Sequence, residues 1–217
     1  MHADAAERCV IFPLATTREE RMARIPYPQT LAAEELLARS PVSLNVFRMI
    51  AHAPAVAGPA VDLGVALLSA TALPPRLREA VVLSVAGHAR CVYELAQHTP
   101  IAELTGMTAE QTAATAGGAL HVDGFTQLEE SALAAVRELM ETHTLDRRTL
   151  STLRETLGEQ QTVELLMLIG YYVMLANLLN ALDVDVDPAS AEIAAAAGRS
   201  AEKADAPGTT RAEGGTL

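Results

Sequence analysis

Aromatic side chains and cysteines are scarce in this chain of 217 residues. Tryptophan is absent, aromatic residues make up 3% of the sequence, and there are two cysteines, Cys9 and Cys91. The core must therefore be built from Ala, Leu, Val and Met, which favours close packing of helices. Two cysteines so far apart do not make a disulfide framework, so we expect a protein of the reducing cytoplasm.

Basic residues are also outnumbered, with 16 Lys and Arg against 27 Asp and Glu, a formal net charge of -11. This charge repels phosphate groups and no basic cluster overrides it, so we expect no nucleic-acid partner and no membrane partner. Residues 163–182 are nearly long enough to cross a bilayer. Because Glu164, Asn177 and Asn180 interrupt their apolar character, they predict a buried core helix instead.

Helix signals recur along the chain and strand signals do not. Prolines and glycines mark helix ends, and capping boxes start at Thr108 and Thr126. No heptad pattern persists, so we predict a compact all-α domain of roughly eight helices rather than a coiled coil. The predicted helical segments are 30–39, 43–53, 55–70, 75–86, 91–104, a short helix between Thr108 and Gly117, 127–141, 146–157 and 159–182. We place this domain at residues 23–187, after an N-terminal extension (1–22) and before a mobile Ala- and Gly-rich tail (188–217).

Three chemically active side chains share one stripe of the helix predicted at 91–104. Cys91, Glu94 and His98 have the spacing i, i+3, i+7, which places them on one face. Glu94 and His98 can hydrogen-bond; the carboxylate favours imidazolium, whereas burial opposes it, and either balance suits proton transfer near neutral pH. The alternative is a polar surface pair. Apolar neighbours such as Val92 leave little room for a separate solvent face, and we therefore favour the functional interpretation.

Two further residues near the stripe have open interpretations. Cys91 lies at the helix start, where the helix dipole and Arg90 favour a thiolate; it is alternatively a small buried hydrophobic residue. Glu79, on the preceding helix, needs a partner, which is either Arg76 or Arg78 in a structural role or the polar stripe in a functional one. The histidine spacing fits no zinc site, and no nucleotide-binding loop or nucleophile elbow occurs, so we expect neither a metal nor a cofactor.

Residues 79–98 resemble the signature of the carboxymuconolactone decarboxylase-like superfamily, which includes alkyl hydroperoxidase D. Its thiol peroxidases carry a Glu, twelve residues later a CxxC pair, and a His four residues after the second Cys. Glu79, Cys91 and His98 match the Glu, the first Cys and the His, and Glu94 stands at the second Cys. The flanking segments LPPRLREAVVLSVA and AELTGMTAEQ agree, and weaker similarity spans about residues 22–187.

Glu94 removes the disulfide on which the peroxidase cycle depends, so the chain resembles the non-thiol branch. That resemblance implies a homo-oligomeric, cofactor-independent lyase or isomerase that acts on a small organic acid or lactone. We predict Glu94 and His98 as the proton-transfer pair, with Glu79 orienting His98 or a water. Substrate binding is assigned to hydroxyl and guanidinium groups, namely those of Tyr93, Tyr171, Arg78 and Arg90.

Two other functions stay open. One is a single-cysteine peroxidase or redox sensor, in which Cys91 is oxidised to a sulfenic acid and reduced by an external thiol. The other is a non-catalytic oligomeric scaffold, which predicts that His98 lies against apolar neighbours.

Overall fold

The protein, seen in a computed structural model that describes residues 23–39 and 43–187, is built from helices. The described residues form eight helices and no strand, which confirms the all-α prediction. The predicted extension (1–22) and tail (188–217) lie outside the described residues, and the domain boundaries stay a prediction. The helices are α1 (Leu31–Arg39), α2 (Asn45–Ile50), α3 (Pro54–Ser69), α4 (Pro75–His88), α5 (Val92–Leu104), α6 (Ala109–Ala116), α7 (Gln127–Thr142) and α8 (Arg147–Leu182).

Local capping chemistry explains why most helix ends fall near their predicted places. Thr108 and Thr126 each accept a hydrogen bond from the backbone N–H three residues later, and the side chains of Gln111 and Glu129 return the bond. These capping boxes satisfy N–H groups that have no partner inside the helix. Helix α2 is shorter than predicted, because its first residues remain extended before Asn45.

The predicted break near residue 158 lies inside α8. Gly158 has φ 75° and ψ 177°, which is not a helical conformation, although helical geometry resumes on both sides. Residues that carry a side chain rarely adopt a positive φ of this kind, so glycine is suited to the position. The two helices that the sequence predicts are thus joined end to end across a glycine kink.

Helix α4 is the centre of the fold and packs against α5, α6, α7 and α8. Every residue from Leu77 to Ala86 is buried, including Arg78 and Glu79. A helix surrounded on all sides has no face for solvated charges. Its two charged side chains must therefore find partners inside the protein.

A tight turn between α4 and α5 fixes the relative position of these two helices. The N–H of Cys91 donates to the carbonyl of Ala86 at 2.8 Å, and the N–H of Arg90 donates to that of Gly87 at 3.0 Å. This is the Schellman pattern, in which the residue after the helix adopts a left-handed conformation. Arg90 occupies that position with φ 53°.

The last described residues, 183–187, hold the N-terminal segment and α5 together. Tyr27 donates its hydroxyl proton to Asp185 at 2.8 Å, and Arg24 forms an ion pair with Asp183 at 2.8 Å. Asp187 accepts from the backbone N–H of Asn45 at 2.9 Å and from the hydroxyl of Tyr93. This segment therefore connects the start of the described chain, α2 and α5.

Helix α8 is long and apolar enough, by length and composition, to cross a membrane. In its most apolar stretch of 18 residues, 44% of that stretch is buried within the fold. Leu165 and Leu168 are fully buried on the inner face, whereas Met167 and Met174 are about half exposed on the outer one. The predicted burial thus applies to one face of this helix.

Helices α4 and α6 approach so closely at Gly87 that a side chain there would overlap the carbonyl oxygen of Ala116. We expect Gly87→Ala to lower the free energy of unfolding by about 1–3 kcal/mol, as overpacking does. Gly170→Ala is the control, because a methyl group there meets no heavy atom within 4 Å. In a helix interior that exchange stabilises by up to about 1 kcal/mol. Urea denaturation of both variants checks this, and equal effects would contradict the close approach.

Candidate active site

The packing of α4 against α5 places an imidazole between two carboxylates. His98 Nδ1 donates to Glu79 Oε2 at 2.8 Å, and His98 Nε2 lies 3.4 Å from Glu94 Oε2. The side chains of Glu79 and Glu94 are each 4% exposed, and that of His98 is 8% exposed. The structure thus joins the three residues that the sequence singles out for acid–base chemistry.

The partner of Glu79 distinguishes between its two sequence interpretations. Arg76 pairs instead with Glu129, its Nε lying 2.7 Å from Glu129 Oε1. Arg78 donates through Nη1 to the carbonyl of Leu73 at 2.9 Å. Glu79 has its direct contact with His98, as the functional interpretation requires. The supporting argument from Val92 was wrong, however, because that side chain points outward and is 68% exposed.

Helix α8 adds a residue to the site that the sequence analysis missed. The ring of Tyr172 stands edge-on to His98, with centroids 5.0 Å apart and planes at 89°. Tyr171, which was predicted, instead donates its hydroxyl proton to the carbonyl of Ala60 at 3.0 Å and faces Gly64. Both tyrosines lie on the buried face of α8 that Leu168 and Leu175 mark, so helical periodicity predicts their burial but does not show which one meets His98.

Electrostatics in this cluster favour a charged imidazole. Burial acts to lower the pKa of His98, but the charge and hydrogen bond of Glu79 and the charge of Glu94 outweigh it, so the pKa is raised. Burial also raises the pKa of Glu94; His98 opposes that change and Glu79 adds to it. A raised carboxyl pKa beside a raised imidazole pKa lets Glu94 and His98 exchange a proton more readily than an ordinary carboxylate and imidazolium would.

Cys91 does not have the environment predicted for a reactive thiol. It is the residue before α5, but its side chain is fully buried. Burial raises the pKa of the Cys91 thiol to about 11, and the backbone N–H groups at the helix start counteract only part of that rise. Of the two sequence interpretations of Cys91, this environment favours the small buried residue over the thiolate, because loss of hydration outweighs the helix dipole here.

The remaining predicted binding residues differ in burial and in whether their polar atoms already have hydrogen-bond partners in the protein. Tyr93 accepts from the N–H of Val46 at 3.2 Å and donates to Asp187, and burial raises its pKa. Arg90 is exposed in the turn described above. Arg78 is buried, and its Nε atom has no hydrogen-bond partner. Only Arg78 among the four therefore combines burial with an unused polar atom.

No group of three or more His, Cys, Asp and Glu side chains in the described part of the chain is arranged to hold a metal ion. A shallow cleft of about 260 Å³ lies between α1, α2 and α3, bordered by Leu36, Ala51 and Ala57. None of the residues discussed above for acid–base chemistry lines it. We therefore place the candidate chemistry at His98 and not in this cleft.

The same helical architecture occurs in solved structures of AhpD-like proteins. An alkylhydroperoxidase AhpD core, a peroxidase-related protein from Ralstonia eutropha JMP134, is 18% identical, with coverage of 82% of this chain and 97% of its own and a TM-score of 0.65. A peroxidase-related protein from Silicibacter sp. TM1040 is 12% identical, covering 83% and 98%, with a TM-score of 0.68. A cysteine-to-alanine variant of the debrominase Bmp8, in complex with 2,3,4-tribromopyrrole, is 18% identical, covering 80% and 88%, with a TM-score of 0.58. At these identities the likeness shows the fold.

The sequence profile of the carboxymuconolactone decarboxylase family matches residues 54–138, from the start of α3 into α7. This segment contains α4 and α5 and hence Glu79, Glu94 and His98. Residues 54–138 thus match the carboxymuconolactone decarboxylase family, as the residue pattern suggested, and the chain shares its fold with the AhpD-like proteins. No curated protein matches the chain.

The raised pKa of His98 predicts a pH dependence of stability. The folded state binds the proton more tightly than the unfolded state, so the stabilisation is complete below the ordinary pKa of 6.5 and is lost as pH rises through the folded value. Glu94, also raised, acts in the same direction. We expect urea midpoints to fall between pH 6 and pH 9, and to fall less in Glu79→Gln.

Glu130→Gln is the matched control, since Glu130 pairs with His121 at 3.2 Å on the surface, where His121 is 88% exposed. That variant should keep the wild-type slope. A Glu79→Gln variant with the same slope as wild type would contradict the assigned role of Glu79.

The buried Cys91 should react slowly. In Cys9→Ser it is the remaining thiol, and a pKa of about 11 in place of 9.0 lowers the thiolate fraction about 100-fold. We expect iodoacetamide at pH 8 to label the folded variant at least that much more slowly than the same variant in urea. Mass spectrometry follows the reaction. A rapid dimedone adduct at Cys91 after mild peroxide would contradict this expectation.

Proposed function

We propose that the protein is a cofactor-independent acid–base enzyme that acts on a small organic acid or lactone, as a lyase (a decarboxylase or dehydratase) or an isomerase. One observation carries this proposal: His98 is fixed between two buried carboxylates at 2.8 Å and 3.4 Å. The match of residues 54–138 to the carboxymuconolactone decarboxylase family supports an enzymatic role.

The two carboxylates have different tasks in this mechanism. Glu79 positions the imidazole, because its short bond to Nδ1 fixes the orientation of the ring and favours its charged form. The longer distance between Nε2 and Glu94 leaves the Nε2 proton available to a third atom. Glu94 and His98 Nε2 then form the proton-transfer pair, and a substrate atom within hydrogen-bonding distance of both can gain or lose a proton.

A decarboxylation illustrates the proton balance. In a substrate whose carboxylate is attached to the α-carbon of a carbonyl group, breaking the bond between that α-carbon and the carboxylate carbon releases CO2 and delocalises the electron pair into the carbonyl group as an enolate. The enolate takes the proton from His98 Nε2, and Glu94 or solvent returns a proton to the imidazole. Enclosure of these side chains strengthens the electrostatic interactions that stabilise the enolate. The same enclosure requires a small substrate and a local movement that admits it.

The two alternatives have less support. The redox function needs an accessible thiolate, whereas the Cys91 thiol is buried and its pKa is raised. The scaffold function predicted apolar neighbours for His98, whereas its ring nitrogens face two carboxylates. The cytoplasmic location and the homo-oligomeric state stay predictions.

The test follows deuterium incorporation and CO2 release by NMR in D2O for a panel of small lactone acids and carboxylic acids. We expect Glu94→Gln and His98→Gln to lower kcat by about 100- to 10,000-fold, the usual contribution of a general acid–base group. Glu79→Gln should lower it less and shift the pH profile towards acid, because the imidazole then loses its proton more easily.

Glu130→Gln and His121→Gln serve as the matched exposed pair and should retain the wild-type rate. Full activity of Glu94→Gln and His98→Gln on a substrate that the wild type converts would exclude the proposed mechanism.

A further inference from the structure

Arg78 is buried within α4 and incompletely paired. It is 6% exposed, its Nη1 donates to the carbonyl of Leu73 at 2.9 Å, and its Nε atom is buried without a partner. A buried N–H of a charged group that makes no hydrogen bond costs free energy. Arg78 therefore destabilises the centre of the fold relative to an apolar residue, which would pack there without an unpaired donor.

Arg78 lies within electrostatic reach of the groups that contact His98. The charge of Glu79 and the hydroxyl of Tyr172 both act on the guanidinium, and burial lowers its pKa against them. Glu79 bonds to His98, and Tyr172 stands against its ring. Arg78 is also the neighbour of Glu79 in the buried run of α4, so its guanidinium is electrostatically coupled to the group that holds His98.

Counted as formal charges, one guanidinium (Arg78) and one imidazolium (His98) equal two carboxylates (Glu79 and Glu94) before any substrate enters. A single added negative charge can be compensated by one proton taken up at the carboxylate of Glu94. A second added charge would stay buried without compensation, which is costly at low dielectric.

We propose that Arg78 binds the carboxylate of a small monoanionic substrate through Nε, next to His98. This inference rests on the proposed acid–base function and names its substrate class as monocarboxylic acids. A guanidinium offers parallel donors that match a carboxylate, so the interaction orients the substrate as well as holding it. The other predicted binding groups are less suited, since the hydroxyls of Tyr93 and Tyr171 already have protein partners and Arg90 is exposed.

The experiment titrates the folded protein with formate, isobutyrate and a five-membered lactone carboxylic acid. Isobutyramide is the uncharged analogue, and sodium chloride at equal ionic strength controls for screening. The readout is the Arg78 Nε–H signal in nitrogen–proton NMR, assigned by its loss in Arg78→Lys. We expect at least one carboxylate to shift this signal, and isobutyramide and chloride to leave it in place.

Affinity in the variants gives a second measurement. We expect Arg78→Gln to weaken carboxylate binding by about 10- to 100-fold, the range of a charge-assisted hydrogen bond. Arg78→Lys should be intermediate, because it keeps the charge and loses the fork. An Arg78 Nε–H signal that no carboxylate moves, or an unchanged affinity in Arg78→Gln, would overturn the proposal. The wild-type NMR titration decides the matter if Arg78→Gln fails to fold.

Binding and turnover separate this inference from the proposed function. Carboxylate binding at Arg78 together with full activity in Glu94→Gln would leave the anion site in place and overturn the acid–base mechanism. Glu94-dependent turnover without any response of Arg78 would keep the mechanism and overturn the anion site.

Discussion

The bond between Glu79 and His98 connects the two helices that form the site and controls its charge. It joins the central helix α4 to α5 at 2.8 Å, in surroundings where both side chains are nearly inaccessible to water. Burying a lone carboxylate or a lone imidazolium here would cost free energy of solvation, and the attraction between the two groups offsets part of that cost. Because α4 is surrounded by four helices, the position of this pair is set by the packing of the whole domain.

Glu94 determines which chemistry the scaffold can perform. At the position where the resemblance to the thiol peroxidases would place a second cysteine, the chain carries a carboxylate 3.4 Å from the imidazole. The first cysteine persists as Cys91, but it is packed in the core and has lost the electrostatic support of a thiolate. In this chain the imidazole therefore faces two carboxylates, and the buried thiol lies apart from that contact.

Local signals made the helices and half of the site predictable. Capping boxes, prolines and glycines act over three or four residues, so their effect is already present in the sequence. The contact of Glu94 with His98 follows from the spacing of one helical turn. By contrast, the choice of His98 over Arg76 as the partner of Glu79 needs the packing of α4 against α5, and Arg76 is instead taken by Glu129.

The sequence by itself determined the helical class, most helix ends and the residue pattern that matches the carboxymuconolactone decarboxylase family, since each depends on short spacings along the chain. Only the tertiary structure decided that Tyr172 and not Tyr171 meets His98, and that Cys91 is buried. It also distinguished Arg78, buried with a free Nε, from Arg90 in an exposed turn. These outcomes depend on how distant helices pack, because burial and dielectric surroundings set the reactivity of a side chain and neither is encoded by local spacing.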